Sequence, residues 1–192
     1  TNERSGCSSA FQWSMASFIS TTAGGPVSPY IASLVKYDAA GVKLASVTLV
    51  GDKSGDGMAM DGAANIFVGE HDSAGNVWIS KYNKFLAFVA SVPFSAEVGN
   101  VTDLAWDAST LSLFVGADGG TDNRPKVIKL NFLGTVVSSV SYVNGSIRDE
   151  SGITVSPAGE VYVLFSATSG ANNRLLVKYD NALGSQLADT VV

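Results

Sequence analysis

Cys7 is the only cysteine and His71 the only histidine among 192 residues. One thiol closes no internal disulfide and completes no zinc site. It reads as a small buried hydrophobe, with an intermolecular bridge or a reactive thiol as the other reading. One histidine excludes a multi-histidine metal centre. A solvated loop residue is its plainer role and a general base its functional one. Charge is also scarce: 15% of residues, against about 25% in an average domain. Hydrophobic residues make up 46%, the opposite of the balance that disorder needs. The net charge is -5 and no basic cluster exists, so neither a nucleic-acid partner nor an anionic membrane surface is expected. No run of 18 apolar residues suggests membrane insertion. No serine sits in a nucleophile elbow, and "GADGG" lacks the lysine and following helix of a phosphate cradle. The chain opens without an initiator methionine, which reads as a mature exported chain or an excised segment. Abundant Ser, Thr, Gly and Ala favour export, hence an extracellular or cell-surface location.

What the chain does have is a repeated phrase. "SLVKYDAAGV" at 33–42 returns as "LLVKYDNALG" at 175–184, with Lys81-Tyr82-Asn83 and Lys129-Leu130-Asn131 between them. The lysines recur at intervals of 45, 48 and 49 residues. A period of this length means propeller blades or helical arrays. Helical arrays need apolar residues at i, i+3, i+4 and i+7, and none is present. Short runs such as "NIFVGE", "NVWISKY", "TVVSSVSYV" and "EVYVLFSA" read instead as strands, separated by turn signals such as "SPAGE" and "YDAAG".

Each repeat divides into four strands. They are expected at 57–61, 65–70, 76–82 and 86–94 in the second repeat, and at 102–107, 111–117, 126–131 and 135–143 in the third. In the fourth they fall at 152–156, 160–167, 174–180 and 185–191. The first repeat is less regular, with two strands within 1–30 followed by 30–38 and 42–50. Laid 146 positions ahead of the fourth, it keeps Ser5, Gly6, Ser20, Thr22 and Gly24. In "SLVKYD" and "NVWISKY" apolar residues fall on both parities, so both faces of the strand are covered. Blades packed face to face meet that need. The fold expected is all-β, a β-propeller of four four-stranded antiparallel blades. They lie at about 1–54, 55–99, 100–148 and 149–192, in one domain over 1–192.

"GMAMDGAANIFVGE" followed by "NVWISKYN" resembles the bacterial SBBP-type β-propeller repeat and, more loosely, the NHL repeat. Gly57, Ala59, Asp61, Asn65, Phe67, Val68, Lys81 and Tyr82 carry the likeness in the second repeat. Gly152, Val155, Gly159, Val161, Tyr162, Val163, Lys178, Tyr179 and Asp180 carry it in the fourth. Ala105, Asp107, Phe114 and Val115 carry it in the third, while "CSSAFQWSMASFIS" departs from it. The resemblance implies blades and says nothing about chemistry. Such families usually close rings of six to eight blades.

In a propeller, the second-to-third loops and the inter-blade connections share one face. Here they include "GDKSGDG", "EHDSAG", "ADGGTDNRP", "NGSIRDE" and "ATSGANN". Loops carry binding residues more often than strands do. The binding-face candidates are therefore Glu70, His71, Asp72, Arg124, Arg148, Asp149 and Glu150. Calcium is the one cofactor considered, at Asp52, Asp56, Asp118 and Asp122, because hard cations want clustered oxygens. Ordinary turn chemistry explains the same Asp and Gly residues, and no cofactor is the expectation. Asn100 and Asn144 head glycosylation sequons. Trp13, Trp78, Trp106, Phe67, Phe114 and Tyr162 are core aromatics or, where exposed, carbohydrate platforms.

The function expected is a non-enzymatic structural or interaction module, assembling with its own copies or meeting a cell-surface protein or glycan. The chain starts with a first strand and ends with a fourth, so no shared blade locks its ends. A head-to-tail contact that does not close would build a filament. A polysaccharide hydrolase or lyase is the enzymatic alternative and requires paired carboxylates. A fragment of a larger propeller is the third.

Overall fold

The computed structural model describes residues 9–10, 17–22, 32–49, 53–72, 74–94, 99–118, 124–142, 147–167 and 174–191, with only the backbone at 9–10, 17–22, 53–55, 147–151, 167 and 191. Every regular element there is a strand. The first sheet holds β1 (Ser9–Ala10), β2 (Ser17–Thr22), β3 (Ser33–Asp38) and β4 (Lys43–Thr48). The second holds β5 (Lys53–Met60), β6 (Ile66–Asp72), β7 (Val77–Tyr82) and β8 (Phe88–Pro93). The third holds β9 (Val101–Asp107), β10 (Ser112–Ala117), β11 (Lys126–Asn131) and β12 (Val136–Ser141). The fourth holds β13 (Ile147–Val155), β14 (Val161–Ala167), β15 (Arg174–Tyr179) and β16 (Gln186–Val191). Each is an antiparallel meander in sequence order. The chain forms two compact units, residues 1–93 with the first two sheets and 94–192 with the last two.

Burial falls from the inner strands outward. Every residue of β10 is buried, and β6 is buried from Ile66 to Glu70. The fourth strands β4, β8 and β12 have no buried residue. In the first unit Leu34, Leu49, Met58, Ile66, Val68, Tyr82 and Leu86 pack the two sheets together. In the second, Phe114, Val127, Tyr142, Ile153, Phe165, Val177 and Tyr179 do so.

The repeated phrase has a separate physical reason for each of its three residues. The lysine lies opposite an aromatic residue on the neighbouring strand: Lys81 opposite Phe67, Lys129 opposite Phe114, Lys178 opposite Tyr162. Each ammonium rests over that ring, 5.0, 5.4 and 5.7 Å from its centre. A cation held there gains about 0.5–1 kcal/mol when exposed. The next residue turns inward, and Tyr82, Leu130 and Tyr179 are buried. The third, an Asp or Asn, closes the turn. Asp38 Oδ1 accepts the N–H groups of Ala40 and Val42 at 2.9 and 2.8 Å. Asn83 does the same for Phe85 and Ala87, and Asn131 for Leu133 and Thr135.

In these turns the residue three beyond the Asx is left-handed. Gly41 and Gly134 serve in two, whereas Leu86 and Leu183 adopt φ of 64° and 58°. A non-glycine residue is strained there by about 1–2 kcal/mol. Both leucines are buried, and burying a leucine returns about 1.5–3 kcal/mol.

The structure departs from the expected boundaries at three places. β5 and β13 begin at Lys53 and Ile147, so much of "GDKSGDG" and "NGSIRDE" is strand rather than connecting loop. Register shifts between Gly55 and Met58, and twice within 147–152, let these strands absorb the glycines. "EHDSAG" is no long loop either. Asp72 Oδ1 accepts Ala74 and Asn76 N–H, the same tight turn that Asp38 makes.

Candidate functional site

The residues expected on one polar loop face are divided between the two units. Asp52, Asp122 and Asn144 lie outside the described residues, and for Arg148, Asp149 and Glu150 only their place on β13 is described. Arg124 is exposed just before β11. Asn100 precedes β9, and its carbonyl accepts the Asp118 N–H at 2.9 Å, so both continue the β9–β10 ladder. Among the described residues no three His, Cys, Asp or Glu side chains gather as a metal site.

Glu70 lies in β6 as the expected 65–70 strand has it, and His71 and Asp72 extend that strand beyond the expected end. Glu70 is 1% exposed. Its carboxylate accepts the Ser80 hydroxyl at 2.6 Å and the Tyr82 hydroxyl at 3.1 Å, and Ser80 lies 3.2 Å from the Ser91 hydroxyl. Burial, aided by the carboxylate, raises the Tyr82 pKa well above the usual phenol range. His71 Nδ1 lies 2.5 Å from Asp56 Oδ2 across β5 and β6. That hydrogen bond raises the His71 pKa against the lowering effect of burial, with the charges of Asp56 and Asp72 assisting.

The second unit holds a cross-sheet clasp. The Asn181 amide donates to Asp107 Oδ2 at 2.7 Å and to the Gly159 carbonyl at 2.9 Å. Lys129 Nζ donates to the Asn181 carbonyl at 3.0 Å and also to its side-chain oxygen. Burial opposes ionisation of Asp107, but hydrogen bonds from Thr110, Ser109 and Asn181 outweigh it and hold its pKa at about 2. These groups fix turns and sheets. Phe67 and Phe114 are likewise buried beneath their lysines rather than offered as platforms, and Tyr162 is half-buried.

The feature that the residue types did not announce lies on the outer strands. Every third-to-fourth pairing shifts register at one place: Lys36/Tyr37, Lys81/Tyr82, Lys129/Leu130 and Lys178/Tyr179. The residue left over in each is Leu44, Val89, Val137 or Leu187. All four are aliphatic and between 51% and 58% exposed. A bulge re-aims the side chain it carries. Phe85, Phe132 and Leu133 add still more exposed surface at the adjoining turns. The signal was present as spacing, since the first three aliphatics follow their lysines by eight residues and the last by nine.

No family model matches the chain, and no curated protein matches it. Solved structures do. Hydrazine synthase of Kuenenia stuttgartiensis aligns with all of the chain and 51% of its own, at 16% identity and TM-score 0.67. The Dos1 propeller aligns over 96% of this chain and 59% of that one, at 12% identity and TM-score 0.58. A neuraminidase-like protein from A/bat/Guatemala/164/2009 aligns over 97% and 53%, at 12% identity and TM-score 0.63. The chain thus spans about half the length of the structures it matches. At these identities the likeness shows fold alone: an all-β chain of four four-stranded antiparallel β-propeller blades.

Proposed function

We propose that this chain is a non-enzymatic interaction module of SBBP- or NHL-like blades, working outside the cell or at its surface without a cofactor. It meets other copies of itself, or a cell-surface protein or glycan, through the outer edges of its blades. One observation carries the reading: four bulges present Leu44, Val89, Val137 and Leu187 to solvent at one register position. Exposed Val42, Phe88 and Val136 lie within two residues of Leu44, Val89 and Val137, and contiguous exposed apolar surface marks interaction sites. The buried or half-buried carboxylates Asp56, Glu70 and Asp107 are engaged in internal hydrogen bonds, which favours this reading over hydrolysis.

Sedimentation of the full chain against a variant with serine at all four positions tests it. The variant should fold normally and lose association with itself and with surface glycans or proteins. Unchanged association, or a sharp loss of stability, would return the four aliphatics to a purely structural role. A second reading, four blades of a larger propeller, is favoured by the half-length alignments and is tested by the length of the native reading frame.

A further inference from the structure

Successive side chains of a strand point to opposite faces of its sheet. In β14 one face carries Val161, Val163 and Phe165, and the other Tyr162, Leu164 and Ser166. The first set is buried and packs, with Val177 and Tyr179, against the third sheet. The second set is only half-buried. So are Lys178 and Leu176, which lie opposite Tyr162 and Leu164 on β15.

The same lysine-bearing face is covered one sheet earlier in both units. In the third sheet it holds Phe114 opposite Lys129 and Gly116 opposite Val127. Phe114 and Val127 are 0% and 1% exposed, in one cluster with Val161, Val163 and Phe165 of the fourth sheet. In the first sheet Leu34 stands two residues before its lysine, as Val127 and Leu176 do. Leu34 is fully buried, in one cluster with Ile66, Val68 and Tyr82 of the second sheet. Each time the cover is the opposite face of the sheet that follows.

The lysines reach for that same neighbour. Lys36 Nζ donates to the Lys84 carbonyl at 3.4 Å, and Lys129 Nζ to the Asn181 carbonyl at 3.0 Å. Lys84 and Asn181 hold one place, directly after the Asx residue of the following sheet's third-to-fourth turn. Lys178 has no following sheet in its unit. Its Nζ lies instead 2.6 Å from Glu160 Oε1 of its own sheet, and the Tyr162 hydroxyl donates to Glu160 Oε2 at 2.9 Å.

We propose that Tyr162, Leu164, Leu176 and Lys178 form the seat of a fifth blade of the same kind, which follows in a longer native chain. The occupant is defined by what the first and third sheets accept on this face. It is an antiparallel sheet with aliphatic side chains on the apposed face of its second strand. Its third-to-fourth turn offers the carbonyl after the Asx residue to Lys178. The matched structures, of which the chain spans about half, leave room for such a blade. The inference rests on the reading of the chain as four blades of a larger propeller, and adds the surface on which that propeller continues.

Thiol labelling of Leu164→Cys and Leu176→Cys, read by mass on the peptides that carry them, tests it. The protein of the full native reading frame is compared with residues 1–192 alone, and Val137→Cys on β12 is the exposed control. Both face positions should label readily in 1–192 and more slowly by roughly tenfold or more in the longer protein, with the control unchanged. A reading frame that ends at residue 192 overturns the fifth blade and the larger propeller together. A longer frame in which both positions stay as reactive as in 1–192 overturns this seat alone and leaves the larger propeller standing. Full protection already in 1–192 at every concentration would give the face to another part of the same chain. Protection that grows with concentration would give it to a second copy. Either result overturns the proposal.

Discussion

One register position is filled in three ways. Three residues beyond the aromatic that underlies each repeated lysine, β6 has Glu70, the end of β10 has Ala117 and β14 has Phe165. All three are buried. Where the residue is a carboxylate, the strand beside it supplies Ser80, and in the other two sheets Ile128 and Val177 stand at that place. Where it is a ring, Tyr142 stacks on it. The lesson is that the blade tolerates a charge in its middle only with its hydrogen-bond partners installed alongside, since an unpaired buried polar group costs about 1–3 kcal/mol.

The largest break in this comparison is Phe165→Ala, which gives β14 the side chain that β10 has naturally. It should cost about 3–5 kcal/mol in denaturant unfolding, because the fourth sheet is built around the ring and would keep a cavity. Glu70→Ala comes next, at about 2–3 kcal/mol, as it strands the Ser80 and Tyr82 hydroxyls. Adding Ser80→Ile, which copies the third sheet, should recover part of that loss, the Tyr82 hydroxyl remaining unpaired. If the double variant is no better than the single one, the carboxylate and serine are not a coupled substitution.

A smaller contrast concerns left-handed leucines. Leu86 is buried in the first unit, whereas Leu111 in the third sheet has φ 52° and is exposed. Leu111→Gly should raise the melting temperature slightly, by relief of up to about 1 kcal/mol once glycine's greater chain entropy is subtracted. Leu86→Gly should lower stability despite the same relief, because its burial is lost. Equal effects at both sites would mean that packing does not hold the strained turn.

The smallest expected effect concerns the next register position, with His71, Asp118 and Ser166 in the three sheets. The raised His71 pKa means that its pairing with Asp56 stabilises the fold fully below the ordinary histidine value near 6.5. That contribution fades as pH rises through the folded-state value. Both groups are partly solvated, so the difference should stay under about 1 kcal/mol. His71→Asn should flatten the stability profile between pH 6 and 8, as read by thermal unfolding.

The blades were legible because the lysine, the inward residue and the Asx turn recur at a period that only stacked sheets explain. The second, third and fourth sheets have strands near the expected places. Glu70 was misjudged for a physical reason: a run of Glu, His and Asp looks solvated, and its hydrogen-bonded partners Ser80 and Tyr82 sit on another strand. Alignment of "IFVGE" with "LFVGA" carried the hint that Glu70 shares a core position with Ala117. The Lys129–Asn181 clasp spans 52 residues and had no local signature. The bulges left a fainter sign, the spacing of each aliphatic from its lysine, eight residues in three repeats and nine in the fourth.

Those four irregularities have one more effect. An uninterrupted outer strand would be a template on which a nascent or damaged chain could stack without limit, as in fibrillar deposits. A kink at the same point of each blade interrupts that template part of the way along. The outer strands can therefore carry exposed apolar side chains without offering an unbroken edge for indiscriminate growth of one sheet upon another.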